Sequence, residues 1–196
     1  MNKIKSIAIF CGSNEGNDTI IIDHAKQLGK MLAIQNITLV YGAAKIGIMG
    51  IVAEAVLQHQ GKAIGVIPEF LKLKEVVHLG LHKLITTKNM HERKLKIHEL
   101  SDGFIALPGG FGTFEELFEI ITWAQLGLHQ KPIGLLNSNG FFNDLISMLE
   151  TMTAKGFLKI ENLDLLIVDD NIDSLLSKMK AFKPKYVPKW LKTELT

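Results

Sequence analysis

Gly103-Phe104-Ile105-Ala106-Leu107-Pro108-Gly109-Gly110-Phe111-Gly112-Thr113-Phe114-Glu115-Glu116 reads as a strand, a turn and the start of a helix. The apolar run 103–107 shows no polar alternation, the mark of a strand buried on both faces. Glycines stand at three of the four positions 109–112. Glycine lets a backbone approach a ligand closely and take positive φ, and a bare turn seldom needs three. A helix opening near Thr113 presents free backbone N–H groups and a partial positive charge. The two features together make an anion site suited to phosphate. It is not a Walker loop, because no Gly-Lys-Ser/Thr follows. Nor is it the dinucleotide fingerprint, because Thr113, Phe114 and Glu115 stand where its third glycine is due.

Outward from this stretch, further short runs rich in Ile, Val and Leu occur at 4–10, 37–41, 62–67, 83–87, 132–136 and 165–168. Segments with apolar residues at three- and four-residue spacing lie at 19–35, 47–60, 91–100, 113–128, 141–155 and 172–182. Strict alternation of the two predicts an α/β, Rossmann-like, doubly wound parallel sheet of about seven strands, with right-handed crossovers and helices on both faces. No linker or repeat divides the chain. Residues 1–182 are therefore expected to form a single nucleotide-binding domain, followed by a basic tail, 183–196. That tail sets Lys183, Lys185, Lys189 and Lys192 around Tyr186 and Trp190. A solvated terminus with one or two docked aromatics is the simpler reading, ahead of a contact with a second subunit or an acidic partner. The longest irregular connection, 68–82, is either a pocket flap or a loop with a short helix.

The chain has 196 residues, 47% hydrophobic and 21% charged, which excludes general disorder. A net charge of +2 is too small to make nucleic acid or an anionic membrane the main partner. The one cysteine, Cys11, excludes an intramolecular disulfide and suits a reducing compartment. No apolar run approaches the ~20 residues of a membrane helix, and none resembles a signal-peptide core. The expectation is a cytoplasmic protein that binds neither nucleic acid nor membrane.

In an open parallel sheet the C-terminal strand ends share one edge, and ligands bind where the strand order reverses. Gly12 and Ser13, Gly42, Met90 to Lys94 and the Pro108 turn all follow strands, so they converge there. Glu116 has two readings. Thr113-Phe114-Glu115-Glu116 fits a capping box with Thr113 as N-cap; the same geometry also points a carboxylate at the anion site. The helix dipole should keep that carboxylate ionised. Arg93 and Lys94 open a helix where cations are unfavourable, so either an anionic ligand lies nearby or both side chains are solvated; arginine suits bidentate anion contacts. His91-Glu92 begins like a zinc-protease motif, but Leu95 occupies the second histidine's place, and His78 and His82 lack an evident third ligand. No metal site is expected. Cys11 reads as a buried, inert thiol and Trp123 as packing.

Met90-His91-Glu92-Arg93-Lys94, followed by Leu107 to Glu116, resembles the LONELY GUY (LOG) family of cytokinin riboside 5'-monophosphate phosphoribohydrolases. The resemblance runs from Phe10-Cys11-Gly12-Ser13 through Ile121 to Gly127 and on to Asn137. It implies hydrolysis of the N-glycosidic bond of adenosine 5'-monophosphate or its N6-modified form, without cofactor or metal. It also implies a homodimer with active sites near the subunit interface. The family's catalytic arginine and glutamate fall on Arg93 and Glu116. Its ligand contacts fall on Glu75, Lys94, Gly109, Gly110, Phe111, Gly112, Thr113, Phe114, Glu115 and Thr122, and Gly12, Ser13, Gly42 and Met90 complete the candidate substrate-binding set. His91 is a candidate proton donor. One departure stands out: the family's Tyr-Gly-Gly is here Tyr41-Gly42-Ala43, which adds a methyl group where pocket shape is decided. The alternative is a non-catalytic nucleotide or molybdenum-cofactor carrier, as in related Rossmann-like proteins. Arg93 and Glu116 together argue against it, because a carrier needs no carboxylate at a sugar. Lysine decarboxylation normally needs pyridoxal phosphate on a lysine, and no lysine stands out for it.

Overall fold

The computed structural model describes residues 3–72 and 77–184. Seven strands, β1 (Ser6–Phe10), β2 (Thr38–Tyr41), β3 (Ala63–Pro68), β4 (Lys83–Thr87), β5 (Gly103–Ala106), β6 (Ile133–Leu136) and β7 (Leu166–Asp169), form one sheet. Its order is β4-β3-β2-β1-β5-β6-β7 and every pairing is parallel. The order reverses between β1 and β5, where Ile7 pairs with Gly103 and Phe10 with Ala106. Strand positions agree with the periodicity to within two residues at each end.

The helices are α1 (Thr19–Ile34), α2 (Gly47–Gln58), α3 (Glu69–Lys72), α4 (Met90–Leu100), α5 (Phe111–Leu126), α6 (Asn143–Ala154) and α7 (Ile172–Ala181). The strands feed two cores by alternation. Ile7 and Ile9 of β1 and Ile105 of β5 join a cluster with Leu28 and Leu32 of α1, Val52 and Val56 of α2, and Leu175 and Met179 of α7. Ala8 and Phe10 of β1 and Phe104 and Ala106 of β5 join the opposite cluster, with Ile97 of α4, Leu117 and Ile120 of α5, and Phe142 just before α6. The missing polar alternation in the sequence has this cause: both faces of the sheet are covered.

Two local differences from the expectation matter. The connection 68–82 contains the single-turn α3, and α5 begins at Phe111 rather than Thr113. The candidate contact Glu75 and all of the basic tail except Lys183 and Pro184 lie outside the described residues. Among the described residues no helix is long and apolar enough to cross a membrane.

Candidate active site

The loops after β1 and β5 are stitched together at the strand-order reversal: the Gly12 N–H donates to the Pro108 carbonyl at 3.1 Å. Gly109 lies beneath this junction. A methyl group there would stand 2.1 Å from Thr113 Oγ1 and 2.7 Å from the Gly12 nitrogen, so only glycine fits. Around the same position on Gly110 and on Gly112 there is open space. None of the three has positive φ, contrary to the expectation from the sequence. The glycines serve close packing at 109 and a bare helix entrance at 110 and 112.

Gly110 is the N-cap of α5, and no side chain caps that helix. The capping box at Thr113–Glu116 is therefore absent. Thr113 is the buried third residue of α5, and Glu116 sits one turn further in. A glycine N-cap leaves the first amides without a side-chain acceptor, which keeps them available to an anion. The reciprocal cap occurs instead at α4. Asn89 Oδ1 accepts from the Glu92 N–H at 2.9 Å, and Glu92 Oε2 accepts from the Lys88 N–H at 2.9 Å. This accounts for Glu92 without a metal.

The cleft above these loops has a volume of about 250 Å³. Gly12, Ser13, Gly42, Met90, Arg93, Gly110, Phe111, Gly112, Thr113, Glu115 and Glu116 all line it, so most of the candidate contacts converge. Five apolar side chains that the sequence did not single out as site residues, Ile9, Phe10, Met49, Leu71 and Ile97, also line it. Ile9, Phe10, Met49 and Ile97 lie in segments that the sequence reads as strand or helix, where apolar residues are expected for packing.

Arg93 and Glu116 meet across the cleft, with Arg93 Nη1 donating to Glu116 Oε1 at 2.5 Å. The two side chains are 11% and 13% exposed. Arg93 Nε donates to the Val66 carbonyl at the end of β3, at 3.2 Å. Burial pushes the Glu116 carboxyl above its ordinary value, and the Arg93 guanidinium pulls it back. The expected control by the helix dipole fails, because Glu116 lies beyond the first turn where that field acts. Cys11 lines the same cleft, and burial, with Glu116 nearby, pushes its thiol up. The thiolate is thus suppressed.

Other candidates point elsewhere. Lys94 Nζ donates to Glu115 Oε1 at 2.6 Å and to Glu119 Oε1 at 2.8 Å, tying α4 to α5 beside the cleft. Phe114 packs against Phe141 and Phe142. The Thr122 hydroxyl donates to the Phe118 carbonyl at 2.7 Å, outside the cleft lining. His91 is exposed and also outside the lining. Ala43 has φ +69° and is fully buried; its methyl faces Gly65, where an added methyl would meet it at 2.6 Å. The departure from the family's glycine thus packs into the β2–β3 layer and does not narrow the cleft. Among the described residues, no three His, Cys, Asp or Glu side chains gather to hold a metal.

An uncapped helix start at the reversal of a parallel sheet, beside a nearly buried carboxylate–guanidinium pair, defines the class: a Rossmann-like α/β protein with its cleft at the switch point. A family model described as "possible lysine decarboxylase" matches residues 49–179. A cytokinin riboside 5'-monophosphate phosphoribohydrolase of Arabidopsis thaliana, LOG2, is 40% identical over 94% of this chain and 87% of its own length. A probable cytokinin riboside 5'-monophosphate phosphoribohydrolase of Oryza sativa subsp. japonica is 42% identical over 90% of this chain and 79% of its own length. The chain belongs to the LONELY GUY (LOG) family. Among solved structures, the molybdenum cofactor binding protein of Rippkaea orientalis superposes with a TM-score of 0.68 at 22% identity, covering 90% of this chain and 95% of that one. That likeness shows the fold.

Proposed function

We propose that this protein hydrolyses the N-glycosidic bond of cytokinin riboside 5'-monophosphates, and of adenosine 5'-monophosphate, to release the free base and ribose 5-phosphate. The observation that carries the reading is the buried Glu116 carboxylate, paired with Arg93 in a cleft whose other wall is the uncapped start of α5. The relatives' activity supports the same chemistry.

In this scheme the 5'-phosphate sits on the amides at Gly110–Thr113, with the macrodipole behind it. The sugar then lies towards Glu116. As the bond from C1' to the base nitrogen breaks, its electron pair leaves with the base and C1' becomes cation-like. The Glu116 carboxylate stabilises that charge and takes a proton from the water whose oxygen bonds to C1'. A guanidinium is too weak an acid to protonate the base, so Arg93 orients Glu116 and opposes the rise that burial imposes on its carboxyl. His91 is outside the lining, so the leaving base takes its proton from solvent. Met49, Leu71, Met90 and Ile97 offer apolar walls to the base.

We assign the assembly as a cytoplasmic homodimer. Phe111 is 97% exposed at the mouth of the cleft, and Leu95 of α4 and Phe118 of α5 are also exposed. A second copy covering them would lie beside the active site, and light scattering on the purified protein measures it. The direct test of activity is a panel of nucleoside 5'-monophosphates with the matching nucleosides as controls, scored for free base and ribose 5-phosphate. Monophosphates are expected to be cleaved and nucleosides spared. Equal cleavage of both would remove the phosphate anchor from the mechanism.

A further inference from the structure

The two residues after β2 carry the opposite of what their backbones ask for. Ala43 has φ +69°, a conformation in which glycine is more comfortable, and yet it carries a methyl group. Gly42 is not among the positive-φ residues, so its backbone admits any side chain, and yet it has none. The reason for the glycine must lie in what surrounds it. A methyl group on Gly42 would stand 2.5 Å from Arg93 Nη2, 3.1 Å from Met49 Sδ and 3.7 Å from Arg93 Cζ.

Arg93 has little freedom to retreat. Its Nε is held by the Val66 carbonyl, its Nη1 by Glu116, and the side chain is nearly buried. On the third side Nη2 points at the place where a Gly42 side chain would stand. A planar guanidinium held by two hydrogen bonds cannot swing away from that place without breaking one of them. We infer that Gly42 is a positioning residue for the hydrolysis, acting through Arg93: the absence of a side chain there leaves room for the Nη2 edge of the guanidinium at the end of β2 while Nη1 reaches Glu116. The inference rests on the functional reading above and assigns a cause to one of its parts.

Gly42→Ala displaces the guanidinium from Glu116 and leaves the amide cradle of α5 untouched. Turnover should therefore fall while the apparent affinity for the monophosphate holds. A misplacement of this kind is expected to lower kcat roughly tenfold to a hundredfold. The groups that act on Glu116 are Arg93, Glu115, Lys94 and Cys11. Moving the first of them away leaves burial less opposed, so the acid limb of the kcat profile should shift to higher pH.

The test is a double-mutant cycle of wild type, Gly42→Ala, Arg93→Ala and the double variant, read by thermal unfolding and by kcat and KM. Gly42→Ala is expected to lower kcat with little change in KM and to lower Tm. In the Arg93→Ala background the same methyl group should cost clearly less Tm, because the group it struck hardest is gone and only the 3.1 Å approach to Met49 Sδ remains. Ala43→Gly is the neighbouring control and should leave kcat unchanged. An equal Tm loss in both backgrounds would overturn the inference, as would a Gly42→Ala variant with raised KM and normal kcat, which would place the substrate itself against Gly42. If Gly42→Ala alone fails to fold, recovery of a folded double variant supports the inference and its failure refutes it. An inactive wild type would sink the proposed hydrolysis, while the thermal cycle would still decide whether Gly42 acts on Arg93.

Discussion

The helices α4 and α5 are held together by different physics at their two ends. At the cleft end α4 contributes Arg93 and Lys94, and α5 answers with Glu116, Glu115 and Glu119, all within 2.8 Å. Towards the C-terminal ends, the His98 ring lies 5.7 Å from Phe104, 5.1 Å from Trp123 and 5.1 Å from His129, measured between ring centroids. Lys131 Nζ donates to the His98 carbonyl there at 2.6 Å. Burial pushes His98 down to about 4, with Lys131 and His129 adding to the effect, and burial lowers His129 as well. Titratable rings are kept neutral at this end, whereas charges are retained at the other. Burial opposes charge on the rings at one end and on Glu116 at the other, and at the cleft end a partner of opposite sign, Arg93, counters it. A cluster that merely held two helices together would not need the buried carboxylate. Its presence at the cleft end is what separates a reactive site from packing.

The sharpest way to break this contrast is Glu116→Gln, which keeps the shape and removes the charge. Hydrolysis should fall by at least about a hundredfold, while calorimetry with adenosine 5'-monophosphate still detects binding. Near-normal turnover would leave the carboxylate a helix-tethering role only. Next in size is Arg93→Ala, which strands a buried carboxylate. Breaking such a pair costs about 3 kcal/mol, readable by urea unfolding, and activity should be lost with it. A loss of stability with activity intact would make the arginine purely structural.

At the neutral end the prediction concerns pH. The folded protein holds His98 at about 4, against an ordinary 6.5. Between those values the unfolded chain binds the proton and the folded protein does not, so its stabilising contribution is full above 6.5 and declines as pH falls to 4. Tm should drop across that window, and His98→Phe should flatten the drop; an unchanged slope would assign the acid sensitivity elsewhere. The smallest effect is expected from Lys94→Met. Its partners Glu115 and Glu119 are 54% and 23% exposed, so the two pairs together contribute about 1 kcal/mol. A loss as large as that of Arg93→Ala would erase the distinction between tethering and reactive ion pairs.

Most of the sheet was legible because burial on both faces leaves a local trace, an unbroken apolar run. β5 shows it, buried at every residue and starting at 103 as expected. The start of α5 was misplaced by two residues for a reason equally physical. Thr113 and Glu116 have the spacing of a capping box, but capping depends on which residue adopts the extended conformation before the helix, and that residue is Gly110. Asn89 and Glu92 have the same three-residue spacing and do form a cap, because Asn89 is the extended residue before α4. Lys94 shows the same limit. Its sequence neighbour Arg93 enters the cleft, while Lys94, one helical step of about 100° further round, reaches Glu115 and Glu119.

From its sequence alone this chain declared an alternating α/β fold, a glycine-rich turn at a strand end, and an arginine and a glutamate worth watching, because each is written in local spacing. The tertiary structure alone decided that Arg93 and Glu116 touch, that Gly42 leaves room for the guanidinium, that the Val66 carbonyl holds it, and that Ala43 turns away from the cleft. Those facts join positions that lie 22 to 51 residues apart along the chain. Distances across a folded sheet depend on strand order and register, and no stretch of sequence carries them by itself.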